Sequence, residues 1–370
     1  MRISDNCGGI PSDLVENEMF SFGHSDEAKL GQLGAYGIGL KRAIFKISEE
    51  FSMESKTLGS GFTTSLNVAQ WAEHDENMED WRIPVQYTKG TKRAKEAGTE
   101  IKFVALRDEV KMRLRDPAFL SRLESSVAQT YALFLERSVR VLVNKTIIEP
   151  WEIPIGSSDQ ITPGHTQFTK GEVKVRILAA LAARRPEWTY DRAGRYVLCN
   201  GRVVLAADKG DLTGWGFGLP RFHSKYNGFV GAAIFTSRNP LALPWTTTKR
   251  GLNKESPVYQ SAMREMTLLG KPIISFLNDM YPSEAVEEPA ERKIAERVVQ
   301  SDLRVLTSKG STSFKVEKSA ATRKTTVRIQ YDAEVSDIEK VKKVLRQPRW
   351  GANKVGKYTF DHYLRTECAE

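Results

Sequence analysis

The stretch Gly34-Ala35-Tyr36-Gly37-Ile38-Gly39-Leu40-Lys41 decides the fold of the first third of this chain. Its three glycines lead directly into an amphipathic run in which Leu40, Ile44 and Ile47 recur at helical spacing. A glycine loop before a helix lets backbone N–H groups converge, and the helix dipole favours an anion at that point. The pattern therefore predicts a phosphate-binding loop, with an ordinary connecting loop as the alternative.

The composition is that of a globular protein with two or three domains. Of the 370 residues, 40% are hydrophobic and 27% are charged. No apolar run is long enough to span a membrane and no signal peptide is visible, so we expect a cytoplasmic protein without a membrane partner. The cysteines, Cys7, Cys199 and Cys368, are too few and too scattered for a disulfide framework or a metal cluster.

The positive charge is concentrated near the C-terminus. The net charge is +9, and residues 304–357 contain 14 Lys and Arg against 5 Asp and Glu, which accounts for the whole excess. A basic region of this kind suits an acidic partner such as nucleic acid. A solvated basic surface without a partner is the alternative.

Residues 1–137 are predicted to form an α+β domain, with helices laid against an antiparallel sheet. A strand ends at Ser4, and the helix after the glycine loop is expected to reach Glu50. Asp116-Pro117 marks the start of a longer helix, with the aspartate as cap and the proline in the first turn. Further strands are predicted at 51–56, 62–68, 83–85 and 98–103.

A second α/β domain is predicted for residues 138–282. Asn200-Gly201, between two strand-like runs, is a strong signal for a type I′ hairpin turn. The other elements predicted are strands at 139–143, 173–178, 196–199, 202–206 and 229–235, and helices at 257–269 and 272–280.

The remaining chain is predicted as a linker with a helix at 283–303, then a small basic α/β unit at 304–370. The linker is acidic and contains prolines. In the small unit we expect a strand at 327–331 and a helix that begins with Ser336 in a capping box.

Three features occur in a fixed order along the first hundred residues: the acidic turn of Asp5 with Gly9, the glycine loop, and Gly98-Thr99 at the head of a strand. Together they resemble the GHKL ATPases, which bind ATP in the Bergerat fold, and most closely the MORC, MutL and gyrase-like members. The resemblance covers roughly residues 1–282. It implies a Bergerat-type α+β sandwich followed by a transducer-like domain.

The resemblance also implies roles for individual residues. Asp5 would accept a hydrogen bond from the adenine amino group, and Gly9 would let the base lie close to the backbone. Thr99 would share a water or hydroxyl bond with that pair, and residues 19–33 would form a lid over ATP. The residues that would contact the phosphates are those of the glycine loop and the helix start, namely Gly34, Tyr36, Gly37, Ile38, Gly39, Leu40 and Lys41.

Each of these features also has a simpler interpretation. Asp5-Asn6 can form a plain Asx turn, in which the carboxylate serves only its own backbone. Gly98-Thr99 can be an ordinary strand entry.

The run Trp245-Thr246-Thr247-Thr248-Lys249 resembles the transducer loop that carries a lysine to the γ-phosphate of ATP. Lys249 would there detect the terminal phosphate as a point charge on a flexible stem. A surface lysine is the alternative. The cofactor implied by all these residues is ATP with Mg²⁺.

Two features depart from the family pattern. Cys7 stands where family members usually have glycine. Family members also carry, on a helix before the first motif, a glutamate that activates water and an asparagine that holds Mg²⁺, whereas only four residues precede Asp5 here. No general base or metal ligand is assigned. Three explanations stay open: a misplaced or truncated start, a helix supplied by another chain, or a form that does not hydrolyse ATP. We expect an ATPase if the helix is supplied and ATP binding alone otherwise.

Two functions fit these observations. The first is an ATP-dependent conformational switch with slow or absent hydrolysis, in which ATP brings two protomers together. The second is a non-enzymatic nucleic-acid-binding or scaffold protein that engages a nucleic acid or protein partner through the C-terminal region. A histidine kinase fits less well, because a transducer-like domain follows where a kinase would end.

Overall fold

The computed structural model describes residues 1–15, 19–20, 39–73, 83–185, 188–281, 289–303, 312–317 and 329–368. Within these ranges the chain forms two five-stranded sheets with helices packed against them, followed by a pair of helices. The predicted α+β fold is confirmed.

The N-terminal sheet is antiparallel throughout, as predicted. Its strands are β1 (Arg2–Asp5), β2 (Ser48–Lys56), β3 (Ser60–Asn67), β4 (Val85–Lys89) and β5 (Gly98–Leu106). They lie side by side in the order β1-β5-β2-β3-β4. Two helices, α1 (Gly39–Ile47) and α2 (Val68–Ala72), accompany the sheet. The first of these ends earlier than predicted, because Ser48 already pairs with Leu106 as the first residue of β2.

One face of this sheet is buried beneath α1. Phe51 and Met53 of β2, Phe62 of β3 and Phe103 of β5 pack with Ile44 of α1, and each is at most 3% exposed. Alternate residues of a strand share a face, so these side chains all point to the same side. Burying each contributes about 1.5–3 kcal/mol, which fastens α1 to the sheet.

Three helices connect the two sheets: α3 (Asp108–Arg115), α4 (Pro117–Thr130) and α5 (Ala132–Leu135). The Asp116 carboxylate accepts a hydrogen bond from the Ala118 amide at 2.9 Å, which confirms the predicted cap with Pro117 in the first turn. The sequence did not predict α3, because this charged helix buries no residue and shows no apolar periodicity.

The second sheet has the order β10-β11-β14-β12-β13. These strands are β10 (Gly164–Lys170), β11 (Val173–Leu181), β12 (Gly194–Cys199), β13 (Arg202–Asp208) and β14 (Phe229–Thr236), and the short strands nearby are β6 (Leu142–Val143), β7 (Thr146–Ile147), β8 (Gly156–Ser157) and β9 (Ile161–Thr162). Strands β12 and β14 are parallel and the other neighbours antiparallel. Asn200 and Gly201 have φ angles of 46° and 82°, as the predicted type I′ turn requires. The strand predicted at 139–143 shortens to Leu142–Val143.

Helices cover both faces of the second sheet. A long helix, α6 (Pro257–Asp279), packs Tyr259 and Met266 against one face. On the other face, Ala132 of α5 packs with Leu178 and Tyr196.

The two helices predicted at 257–269 and 272–280 are one continuous helix. Pro272 lies inside α6 and is exposed, so its ring faces solvent rather than the sheet. The carbonyl of Leu268, which loses its helical N–H partner to the proline, belongs to a residue that is 59% exposed and can be hydrated.

Residues 289–303 and 312–317 pack against the second sheet. The linker predicted from Ser283 lies almost entirely outside the described residues, and the helix predicted within 283–303 is present. The helix α7 (Ala290–Glu296) and the strands β15 (Val299–Gln300) and β16 (Lys315–Val316) follow. Strand β15 pairs with β8, and β16 pairs with β9. Ile294, Val298 and Phe314 are buried in the same cluster as α6. Apolar side chains spaced along a short, polar stretch gave no periodic signal for this packing.

Two helices, α8 (Val335–Leu345) and α9 (Ala352–Glu367), end the described chain. The strand predicted at 327–331 does not form over its described residues, 329–331. The predicted cap is also wrong, because α8 begins at Val335 after Glu334, and the Ser336 hydroxyl donates to the Glu334 carboxylate. Within the described ranges, no helix combines the length and the apolar character that crossing a bilayer requires.

Candidate functional site

Three polar side chains form a row across the inner face of the N-terminal sheet. Asp5 of β1 lies directly opposite Thr99 of β5, and Thr99 lies directly opposite Ser55 of β2. Residues directly opposite in neighbouring strands share a face and have Cβ atoms about 5 Å apart. The row begins at Asp5, which is exposed, and ends at Ser55, which is fully buried. Two of the predicted site residues, Asp5 and Thr99, are therefore brought together.

Ser55 is the member of the row that sequence reasoning missed. Its hydroxyl lies 3.0 Å from the Thr99 hydroxyl, and it accepts a hydrogen bond from the Ile10 amide at 2.8 Å. The signal was present in the alternation of Phe51, Met53 and Ser55, which places the serine on the buried face. A buried hydroxyl at that register holds Thr99 in place for a further polar contact.

Gly9 lies against the end of β2. A Cβ atom there would come within 2.1 Å of the Lys56 carbonyl oxygen, and the φ angle of +75° is one that glycine adopts without strain. Next to it, the Ile10 amide reaches Ser55 and the Ser12 amide reaches the Ser60 hydroxyl. The turn after β1 therefore crosses the ends of β2 and β3 in close contact. The predicted role of Gly9, to let the adenine base approach the backbone, stays a prediction.

The Asp5 carboxylate can serve its own backbone in an Asx turn and still offer an acceptor to an external group. Its Oδ1 atom accepts a hydrogen bond from the Cys7 amide at 2.9 Å, which is an Asx turn. Its Oδ2 atom has no hydrogen-bond partner among the described residues. An ionised carboxylate only accepts hydrogen bonds, so Oδ2 can receive an external N–H donor such as an amino group.

The start of α1 supplies backbone N–H donors. Gly39, Leu40 and Lys41 are its first three residues, and the amides of a first turn have no partner within the helix. At its other end, α1 runs directly into β2, where Ser48 pairs with Leu106, and Ile44 of α1 is buried in one cluster with Phe103. The preceding residues of the predicted loop, Gly34, Tyr36, Gly37 and Ile38, lie outside the described residues, as does most of the predicted lid.

Lys41 lies on the buried side of α1. Only 2% of this residue is exposed, and burial lowers the pKa of its ammonium group. Desolvation penalises the charged form, so a negative group close by would stabilise the ammonium. The predicted contact of Lys41 with phosphate stays a prediction.

Lys249 lies on the second sheet, in a turn closed by its own amide donating to the Thr246 carbonyl at 2.8 Å. Its Nζ atom is 5.3 Å from the centre of the Trp245 ring. Burial lowers the pKa of this lysine, and the positive charge of Arg202 lowers it further. Lys249 is thus half-buried above an aromatic ring. Its predicted contact with the γ-phosphate, to which a plain surface lysine was the alternative, stays a prediction.

No metal site is visible in the part of the chain that the structure describes. There, no group of three or more His, Cys, Asp or Glu side chains is placed to hold an ion. We therefore assign no residue to Mg²⁺ and derive no step through it.

The comparison with known families concerns the N-terminal part of the chain. Residues 1–98 match the family model of histidine kinase-, DNA gyrase B- and HSP90-like ATPases. These residues are similar to the GHKL ATPases. The match spans 98 of the 370 residues and supports ATP binding by this part of the chain. No curated protein matches the chain.

Proposed function

We propose that the chain binds ATP at the row formed by Asp5, Thr99 and Ser55 and acts as an ATP-dependent conformational switch. The observation that carries the proposal is this row, which places a carboxylate acceptor beside two hydroxyls within or next to the matched residues. The adenine amino group donates to Asp5, and Thr99 supports the pair through a hydroxyl or water contact.

The phosphates lie at the N-terminus of α1, where the amides of Gly39 to Lys41 and the helix dipole favour negative charge. The GHKL members with a transducer domain suggest the rest of the cycle. ATP orders the lid, engages Lys249 and pairs two protomers, and loss of the γ-phosphate would release them. Mg²⁺ would accompany ATP and neutralise part of the phosphate charge.

The test is ATP binding by the full chain and by Asp5→Asn, measured calorimetrically. Asparagine keeps the oxygen that accepts from Cys7, so the turn persists, but it replaces the acceptor facing adenine with an N–H donor. A charge-assisted bond lost in this way weakens affinity about 10–100-fold. Asp108→Asn, an exposed aspartate paired with Lys111, is the matched control and keeps the affinity of the natural chain. Equal binding by Asp5→Asn, or no binding by the natural chain, would contradict the proposal.

The cysteines provide an independent readout on the same samples. Cys7 and Cys368 are exposed and Cys199 is buried. Bound ATP should slow alkylation of Cys7, two residues from Asp5, and leave Cys368 unchanged as an internal reference. Equal rates at Cys7 with and without ATP would argue against a nucleotide at this turn.

A second candidate function is nucleic-acid binding by the C-terminal helices. Residues 340–360 contain seven Lys and Arg and no Asp or Glu. Lys340 and Lys342 pair with acidic residues one turn earlier. The others are exposed and form no ion pair with the described residues, namely Lys343, Arg346, Arg349, Lys354 and Lys357. A positively charged surface of this kind suits binding to the phosphate backbone of a nucleic acid.

Replacing Arg346, Arg349 and Lys357 together with glutamine tests this candidate. Each phosphate contact removed lowers the slope of log K against log salt by about 0.9, so we expect a slope smaller by about 3 and weaker binding of a DNA duplex. The control changes the same charge elsewhere, with glutamine at Lys92, Arg93 and Lys95 of the N-terminal unit. Equal slopes of log K against log salt for both triple variants would exclude a specific role of residues 340–360 in DNA binding.

A further inference from the structure

A cleft of about 660 Å³ lies on the α5 side of the second sheet, near the end of β14. Its floor is apolar, because Ile234 and Leu303 are only 5% and 7% exposed and belong to the cluster packed under α5. Leu133 and Phe134 of α5 form one wall. The helix ends at Leu135, and the last residue of β14 is exposed, so the cleft opens to solvent where α5 stops covering the sheet.

The walls of this cleft are held by contacts within the chain. The Asn200 side chain accepts a hydrogen bond from the Ser237 amide and donates one to the Ser237 carbonyl, both at 3.0 Å. A Cβ atom at Gly201 would lie 3.1 Å from the Phe134 ring, so the missing side chain lets α5 lie against this turn. The cleft is therefore formed in advance, and a ligand does not have to order its walls.

Arginines from three different elements line the cleft. They are Arg176 of β11, Arg137 two residues after α5, and Arg238 two residues after β14. Arg176 lies directly opposite Ile234 and two residues before Leu178, so its side chain is on the face that α5 covers. A charged residue on the apolar face of a strand is expensive to bury, which indicates that this part of the face serves a polar contact.

The carboxylates near these arginines leave an excess of positive charge. Glu172 is the one acidic residue among the described residues of the lining, and it accepts a hydrogen bond from the Asn239 side chain at 3.0 Å. Asp302 lies 3.6 Å from Arg137, and both side chains are about half exposed, so this pair contributes little in water. A guanidinium has five N–H donors, and one partner leaves others for a ligand. The cleft therefore favours a negative group.

We infer that this cleft binds an organic anion with an apolar body, of the class of aliphatic or aromatic carboxylates. The apolar body lies on Ile234 and Leu303 beside the Phe134 ring, and the carboxylate accepts hydrogen bonds from the arginines. The planar fork of a guanidinium matches the two oxygens of a carboxylate. A mostly apolar cleft of this volume with a few convergent charged groups is typical of small-molecule sites. The bound anion also holds α5 against the sheet.

The test uses two fluorescent probes with the same ring system, anilinonaphthalene sulfonate and its neutral analogue phenylnaphthylamine. The full chain should bind the sulfonate more tightly than the neutral probe. In a double variant with Arg137→Gln and Arg238→Gln, the sulfonate affinity should fall about tenfold or more while the affinity for the neutral probe stays within about twofold. Both arginines are exposed, and retained binding of the neutral probe shows that the variant is folded.

A second variant blocks the cleft and keeps every charge. Thr236 is exposed and lies on the same face of β14 as Ile234, so Thr236→Phe places a ring in the cleft and should weaken binding of both probes. The matched control for charge replaces Arg140 and Arg264 with glutamine. Both are exposed and are not among the described residues of the lining, so this double variant should keep both affinities.

Competition against the sulfonate probe then identifies the ligand. Displacement by decanoate supports an aliphatic carboxylate, and displacement by indole acetate supports an aromatic one. Inorganic sulfate, which has charge and no apolar body, should not displace the probe at the same concentration. Failure of both carboxylates to displace the probe, or equal sulfonate affinity of the natural chain and the two cleft variants, would overturn the inference. Asp5→Asn should leave the sulfonate affinity unchanged, so the outcome is independent of the proposed nucleotide site.

Discussion

At the residue scale, Gly98 controls how closely β1 approaches β5. A Cβ atom at position 98 would lie 2.1 Å from the Asp5 carbonyl oxygen and 3.0 Å from the Cα of Asn6. Both obstacles are backbone atoms that cannot rotate away. The glycine therefore permits the register in which Asp5 faces Thr99, and the site depends on a missing side chain as much as on the ones present.

Gly98→Ala should displace the end of β1 and disturb the nucleotide site. Because backbone must move to relieve the clash, we expect a loss of about 1–3 kcal/mol in the free energy of unfolding and weaker ATP binding. Gly59→Ala is the control, since a Cβ there meets nothing within 4 Å and the φ angle is ordinary. Denaturant unfolding and ATP titration of both variants give the comparison. A Gly98→Ala variant as stable as Gly59→Ala would show that β1 is not held in this register.

At the element scale, α6 shows a tertiary environment overriding a local signal. Arg195 of β12 is fully buried and donates to the Met266 carbonyl of α6, and burial lowers the pKa of its guanidinium to about 9. Gly270 leaves room for this side chain, since a Cβ there would lie 2.6 Å from it. The helix is thus bonded to the sheet at Met266, six residues before Pro272, and it continues where the sequence alone predicted a break.

Pro272→Ala should raise the free energy of unfolding by about 1–3 kcal/mol. Alanine restores the N–H bond to the Leu268 carbonyl and removes the ring from the helix interior. Pro257→Ala, in the first turn of the same helix, is the control and should not stabilise, because proline is favourable there. Thermal and urea unfolding measure both. If Pro272→Ala is neutral or destabilising, the proline is accommodated without cost and the interpretation of α6 is wrong.

The elements that sequence predicted correctly have strong local determinants. Strands such as β2, β3, β11 and β14 alternate or run continuously apolar, Asp116-Pro117 caps a helix, and Asn200-Gly201 imposes its turn. Strand β10 was not predicted, and β4 begins where the predicted strand at 83–85 ends. Within the candidate site, the order of the three motifs along the sequence pointed to Asp5, Gly9 and Thr99. Ser55 was missed because a serine in a strand carries no motif, and its role appears only when the register of three strands is known.

At the scale of the whole molecule, residues 290–303 and 312–317 pack on the second sheet. Val298 is 2% exposed and lies directly over Gly156, where a Cβ would come within 2.2 Å of its side chain. Ile294 and Phe314 are buried in the same cluster. Strand β15 pairs with β8, and strand β16 pairs with β9. These contacts join the chain beyond 282 to the second sheet over a large separation in sequence. By contrast, Val344 in α8 is 81% exposed.

This arrangement can be tested with one substitution made at two places. Val298→Asp would put a charge in the apolar cluster around α6 and remove a buried side chain, so we expect the free energy of unfolding to fall by more than about 3 kcal/mol. Val344→Asp makes the same chemical change on an exposed helix face and should stay within about 0.5 kcal/mol. The readout is urea unfolding followed through the tryptophan fluorescence of the second unit, where Trp188 and Trp215 pack in or against the same cluster. A small loss of unfolding free energy in Val298→Asp would mean that residues 290–303 behave as the linker predicted from composition. A large loss means that these residues are part of the second unit.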